Sequence, residues 1–139
     1  MISRDDRREA ESQIARLIHS YFYRLDERDL EAVAAFFENA AWHISPERAT
    51  HGKAEKLAWL RENTPAHDAN LGPQHLIGNV LVDVADDGRT ATSLSYFIVS
   101  QLVDGPGIHV AARGRYADSF ALRNGQWRFT ERRVHVDRR

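Results

Sequence analysis

The chain reads as an α+β domain in which three helices cover one face of a strongly curved antiparallel meander. Three observations give this class. Apolar side chains recur at helical spacing through the N-terminal half. From about residue 74 the period changes to two, the period of a strand. The links "ADDG", "DGPG" and "NG" between the later segments are turns, too short for parallel crossovers. Helices first and strands last is the plan that packs helices on one sheet face. With 139 residues, no internal repeat and no linker, the expectation is a single domain spanning 1–139.

Ser3 followed by Asp6 forms a capping pattern for a helix over residues 4–26, whose stripe is Ile14, Leu17, Ile18, Tyr21, Phe22 and Leu25. "DERD" breaks it. Asp29 can cap a second helix with Leu30, Val33, Phe36 and Phe37 on its apolar side, ending at Asn39. "AWHIS" is a short strand stopped by Pro46. "KAEKLAWLREN" is a third helix, ended before Pro65, and "AHDANLGP" is loop. Four strands follow: "QHLIGNVLVDV", "TATSLSYFIVSQLV", "IHVAARGRYADSFAL" and "QWRFTERRVHV".

A type I′ turn at Asn124-Gly125 sets the register of the last hairpin. It puts Tyr116, Phe120, Leu122, Trp127 and Phe129 on one face, with Asp118, Glu131 and Arg133 beside them. Three charges on a covered face are either a self-paired cluster or the lining of a polar cavity. A β-bulge would exchange Arg132 for Arg133. The first hairpin is open between two registers. A three-residue turn sets His75 and Asn79 on the face of Ser93, Ser95, Phe97 and Val99. A two-residue turn gives them Tyr96 and Ile98 as neighbours.

Nineteen Lys and Arg against twenty Asp and Glu leave a net charge of −1, so nothing draws the chain to nucleic acid or anionic lipid. The basic tail "ERRVHVDRR" is short and lacks interleaved aromatics. No run approaches the roughly 20 apolar residues of a bilayer span, and the charged N-terminus is unlike a signal peptide. The absence of cysteine excludes disulfides and thiolate metal sites. The expectation is a cytoplasmic protein with no nucleic-acid or membrane partner. The seven histidines have no close ligand spacing, so no metal is expected. No HExxH, Walker loop, dinucleotide fingerprint or GxSxG elbow is present, and no cofactor is expected.

What remains is a set of polar groups on covered faces. Tyr21 carries its hydroxyl inward on the first helix, and Asp26 stands at the edge of the same stripe. His75 and Asn79 share a strand face with Ile77 and Leu81. A histidine can act as a base near neutral pH, its unperturbed pKa being about 6.5. A carboxylate on its other nitrogen fixes the tautomer. A phenol can donate to a substrate oxygen, and an arginine can hold a developing oxyanion. Together these groups suit proton abstraction beside a carbonyl, followed by elimination or isomerisation.

The stretches "YFYRLDERDLEAVAAFF", "HLIGNV" and "GRYADSFALRNGQWRFTERRVHVD" resemble the SnoaL-like branch of the nuclear-transport-factor-2-like superfamily. The resemblance covers almost the whole chain. It implies a cone-shaped barrel of the cystatin-like α+β roll type, with a deep, mostly apolar pocket. Relatives include scytalone dehydratase, bile-acid 7α-dehydratase, hexachlorocyclohexane dehydrochlorinase, polyketide cyclases and dioxygenase β subunits. By this resemblance His75 is the base, Asp26 pairs with it, Tyr21 assists at the substrate and Arg133 lines the site. "SLSYFIVSQLV" lacks the middle-strand carboxylate of the cyclases.

The expectation is therefore a cofactor-free lyase or isomerase acting on a small hydrophobic cyclic substrate. His75, Asp26, Tyr21 and Arg133 would do the chemistry. Asn79, Trp42, Phe37, Tyr116 and Phe97 would form the pocket walls. The alternative is a non-catalytic binding protein or assembly subunit. Relatives pair or trimerise through the open sheet face, so a homodimer or homotrimer is expected.

Overall fold

Ser3 starts the first helix as its capping pattern requires, its Oγ accepting from the Asp6 N–H at 3.0 Å. Helix α1 then runs over Arg4–Asp26 and buries Ala10, Ile14, Ile18, Tyr21 and Phe22. Arg28 takes a positive φ of 67° in the turn. Asp29 caps α2 (Leu30–Ala35), accepting from the Ala32 N–H at 3.2 Å. This helix is shorter than its apolar run. Phe37 and Glu38 donate three residues back, to Ala34 and Ala35, so the segment tightens into a turn. Strand β1 (Ala41–Ser45) precedes Pro46, and β2 (Arg48–His51), which the residue pattern did not reveal, folds back on it. Helix α3 (Gly52–Asn63) follows.

The meander consists of β3 (Gln74–Val84), β4 (Thr90–Leu102), β5 (Ile108–Arg123) and β6 (Gln126–Val136). The computed structural model describes residues 1–66 and 71–139, so residues 67–70 of the expected loop lie outside the described residues. The turn at Asn124 and Gly125 has φ of 52° and 76°, as a type I′ turn demands.

The six strands lie in the order β2-β1-β6-β5-β4-β3. Strand β1 runs parallel to β6, with Trp42 opposite Arg132. The sheet is thus mixed and open, rather than wholly antiparallel and closed. The turn lengths constrain only the meander. The parallel pair is joined through α3 and four strands, a connection long enough for any direction.

Two bulges set which side chains face the helices. In β3 the register shifts between Gly78 and Leu81, and Asn79 adopts φ 51°. The partly or fully buried residues are His75 and Ile77 before it and Val80, Val82 and Val84 after it. His75 pairs with Val99 and Ile77 with Phe97, the register of the longer turn. In β6 the ladder passes from Phe120–Phe129 to Ser119–Glu131, leaving Thr130 as the extra residue.

The core lies between helices and sheet. Phe129 stacks on Phe37 with centroids 4.9 Å apart and meets Phe120 at 4.9 Å. Phe97 stacks on Tyr116 at 4.5 Å, in space that a Cβ at Gly114 would need. The far face of the sheet is apolar around β3 to β5, where Leu76, Leu81, Leu94, Tyr96, Ile108 and Val110 are exposed. Among the described residues no helix is long and apolar enough to cross a membrane.

Candidate active site

Asp26 is the last residue of α1, at the negative end of the helix dipole, where a carboxylate is disfavoured. Two hydrogen bonds offset this. The His75 backbone N–H donates to Oδ2 at 3.0 Å, and His75 Nδ1 lies 2.7 Å from Oδ1. Because the carboxylate only accepts, Nδ1 carries the hydrogen and Nε2 is left with its lone pair. Phe22 stacks on the imidazole at 5.3 Å. The two side chains are 19% and 22% exposed, enough for a ligand to reach and too little for bulk water to surround them.

Arg132 is the buried arginine. Its Nε and Nη2 donate to the two Asp118 oxygens at 2.7 and 2.8 Å. Its guanidinium carbon stands 4.2 Å from the Tyr116 ring centroid and 4.8 Å from that of Tyr21. Burial opposes the charge, but the Asp118 carboxylate outweighs it and raises the Arg132 pKa above the ordinary arginine range. The third nitrogen, Nη1, is buried with no close hydrogen-bond partner among the described residues, and the guanidinium also bears on the Tyr21 hydroxyl. Burial also raises the Tyr21 and Tyr116 phenols above the ordinary tyrosine range, so both stay protonated donors.

The expected Arg133 points outward instead. It is 62% exposed and pairs with Glu131. The bulge at Thr130 moves the inward position by one residue, from Arg133 to Arg132. Glu131 is only partly covered and also meets His43 Nε2 at 3.1 Å.

Tyr21, Trp42, Trp59, His75, Tyr116 and Arg132 line a cavity of about 330 Å³. Phe37 and Phe97 are buried core residues outside this lining, packed behind Tyr21 and Tyr116. Asn79 is exposed on the β3 bulge and is not a wall, because the extra residue breaks its alternation with His75. Among the described residues no group of three His, Asp or Glu could hold a metal ion.

Lys56 was not anticipated. It lies one helical turn before Leu60 and shares its buried face, which is the spacing that could have revealed it. It is fully buried, and its Nζ has no hydrogen-bond partner among the described residues. Burial, reinforced by the Arg132 cation, lowers its pKa well below the ordinary lysine value. The unfolded chain then binds a proton that the folded chain does not, so stability rises with pH between the lowered and the ordinary value. Melting curves between pH 7 and 9 are expected to show Lys56 adding to the midpoint as pH rises. In Lys56→Met that increment is absent, and the variant is at least as stable as the parent at pH 7.

Residues 6–133 match the model of the SnoaL-like domain. The chain is 37% identical over 98 residues to the methanesulfonate monooxygenase hydroxylase β subunit of Methylosulfonomonas methylovora, a match covering 64% of this chain and 54% of that one. The matched part is therefore about half of the relative's length. Among solved structures, an NTF2-like protein with a cystatin-like fold from Novosphingobium aromaticivorans superposes with TM-score 0.79 at 24% identity, covering 91% of this chain and 80% of that one. A candidate scytalone dehydratase from the same organism gives TM-score 0.79 at 20% identity, with 98% and 89% covered. The β subunit of a candidate aromatic-ring-hydroxylating dioxygenase, also from that organism, gives 0.74 at 19%, with 95% and 92% covered. At these identities the structural matches establish the fold.

Proposed function

Because the chain belongs to the SnoaL-like domain family, we propose that its cavity carries out acid–base lyase or isomerase chemistry on a small hydrophobic cyclic carbonyl compound. The observation that carries this reading is the 2.7 Å contact of His75 with Asp26, with His75 itself lining the cavity. His75 Nε2 takes a proton from the carbon beside the carbonyl, and Asp26 holds the resulting imidazolium. The electron pair moves onto the carbonyl oxygen, which the Tyr21 phenol and Arg132 Nη1 can receive. In an isomerisation the proton returns to a different carbon. In a dehydration a β-hydroxyl takes a proton and leaves as water.

The test is hydron exchange. A panel of cyclic ketones is incubated with the protein in D₂O and followed by proton NMR. Exchange beside the carbonyl above the buffer rate is expected. Absence of exchange across the panel overturns the reading.

A second reading, as a non-catalytic binding or assembly subunit, is favoured by the likeness to a hydroxylase β subunit. It predicts no exchange, with thermal stabilisation by the same compounds that survives His75→Ala. In either case the exposed leucines of the outer sheet face suit burial against a second copy, as a homodimer or homotrimer.

A further inference from the structure

Among the interior groups that the dyad leaves unused is an amine. Only two of the chain's 19 Lys and Arg side chains are lysines, and they stand three residues apart on α3. Lys53 is exposed and pairs with Glu31 at 3.4 Å. Lys56 is fully buried and has neither a carboxylate partner nor a hydrogen bond among the described residues. Its Nζ lies 3.5 Å from the Trp42 ring centroid, 3.8 Å from Phe37 and 4.9 Å from Tyr21. The ionisable groups that bear on it from other elements are Tyr21 on α1, Asp118 on β5 and Arg132 on β6. Asp118 is held by both of its oxygens to Arg132 and does not pair with the amine.

The faces of three aromatic rings attract the ammonium form, while burial without an acceptor among the described residues and the Arg132 guanidinium favour loss of its proton. The amine then keeps a free lone pair, the form that attacks a carbonyl carbon. Lysines become nucleophilic in this kind of setting, desolvated and beside another cation. Lys56 stands behind the cavity wall rather than in its lining; two of the rings against Nζ, those of Trp42 and Tyr21, belong to that lining. Trp42 is only partly buried, and its ring is the nearest of the three to Nζ.

We propose that Lys56 is a carbonyl-capturing amine, which condenses with an aldehyde or ketone held in the cavity to form an imine. The new bond joins Nζ to the carbonyl carbon. Nζ gives up two hydrogens and the carbonyl oxygen departs with them as water, so no oxidant or reductant takes part. The site uses the cavity of the proposed function but not its dyad.

The test is reductive trapping of the full chain. The protein is incubated with benzaldehyde and sodium cyanoborohydride at pH 7, where an exposed lysine with pKa about 10.4 is almost wholly protonated. Intact mass and peptide mapping then locate the benzyl group, and circular dichroism verifies that the treated chain is folded. Labelling of Lys56 at least tenfold faster than Lys53 is expected, together with its loss in Lys56→Met. Label confined to Lys53 and the amino terminus, or no faster at Lys56 than at Lys53, overturns the proposal. The mapping is read on the parent chain, so the comparison of Lys56 with Lys53 does not depend on the variant. Trapping reports no hydron exchange, so failure here leaves the dyad reading intact, and a chain inactive in exchange can still be labelled.

Discussion

Replacing Asp118 by asparagine is expected to lower the thermal midpoint by on the order of 10 °C. The carboxylate makes two short bonds to a guanidinium that is 1% exposed and stacked among aromatic rings. Removing its charge leaves the Arg132 cation buried and unpaired, a change that costs about 3–5 kcal/mol. For a chain of this size each kcal/mol corresponds to roughly 2–8 °C. The double variant Asp118→Asn, Arg132→Met takes away both charges and is expected to recover most of the loss. Melts followed by circular dichroism measure both. A single-variant loss under about 1 kcal/mol would mean that water reaches the guanidinium.

The second large effect concerns the dyad. If His75 is the base, His75→Ala lowers the rate of hydron exchange by about 10²- to 10⁴-fold. Asp26→Asn is expected to act on the same step by another route. An asparagine amide can donate to Nδ1, which moves the ring hydrogen to Nε2 and removes the lone pair there. The two groups then act as one unit, and the double variant is no slower than the worse single variant. Strictly additive losses would show that they work independently. Asp26→Ala serves as a separate control. It also frees the His75 backbone N–H, so a fall in stability beyond that of Asp26→Asn measures how far this carboxylate ties α1 to β3.

Much of the fold could be read from the residue pattern, for reasons local to the chain. The Ser3 and Asp29 caps, the 3.6-residue stripe of α1 and the Asn124-Gly125 turn are near-neighbour effects, and each stands where the pattern put it. The pairing of β1 with β6 could not be read, because no turn joins them. In the site, Tyr21, Trp42, His75 and Tyr116 line one cavity and Asp26 meets His75, a pairing that the family resemblance implied and that strand and helix faces alone do not give. The arginine was displaced by one residue and Asn79 was turned outward, each by a bulge that strict alternation cannot foresee. Lys56 was hidden differently. A lysine is usually read as solvated, and only its spacing to Leu60 marks it as interior.

The two irregularities in β3 and β6 have one outcome in common. Without Asn79, strict alternation would run from His75 and Ile77 straight on to Val80, Val82 and Val84, and without Thr130 from Phe129 to Arg132 and Val134. Each supernumerary residue can therefore be cut out with every side chain left on its present side. What it contributes is arc: the sheet's wrap around its hollow is written in chain length rather than in side-chain identity. The depth of that hollow is thus open to change by single-residue deletion while the residues that line it stay the same.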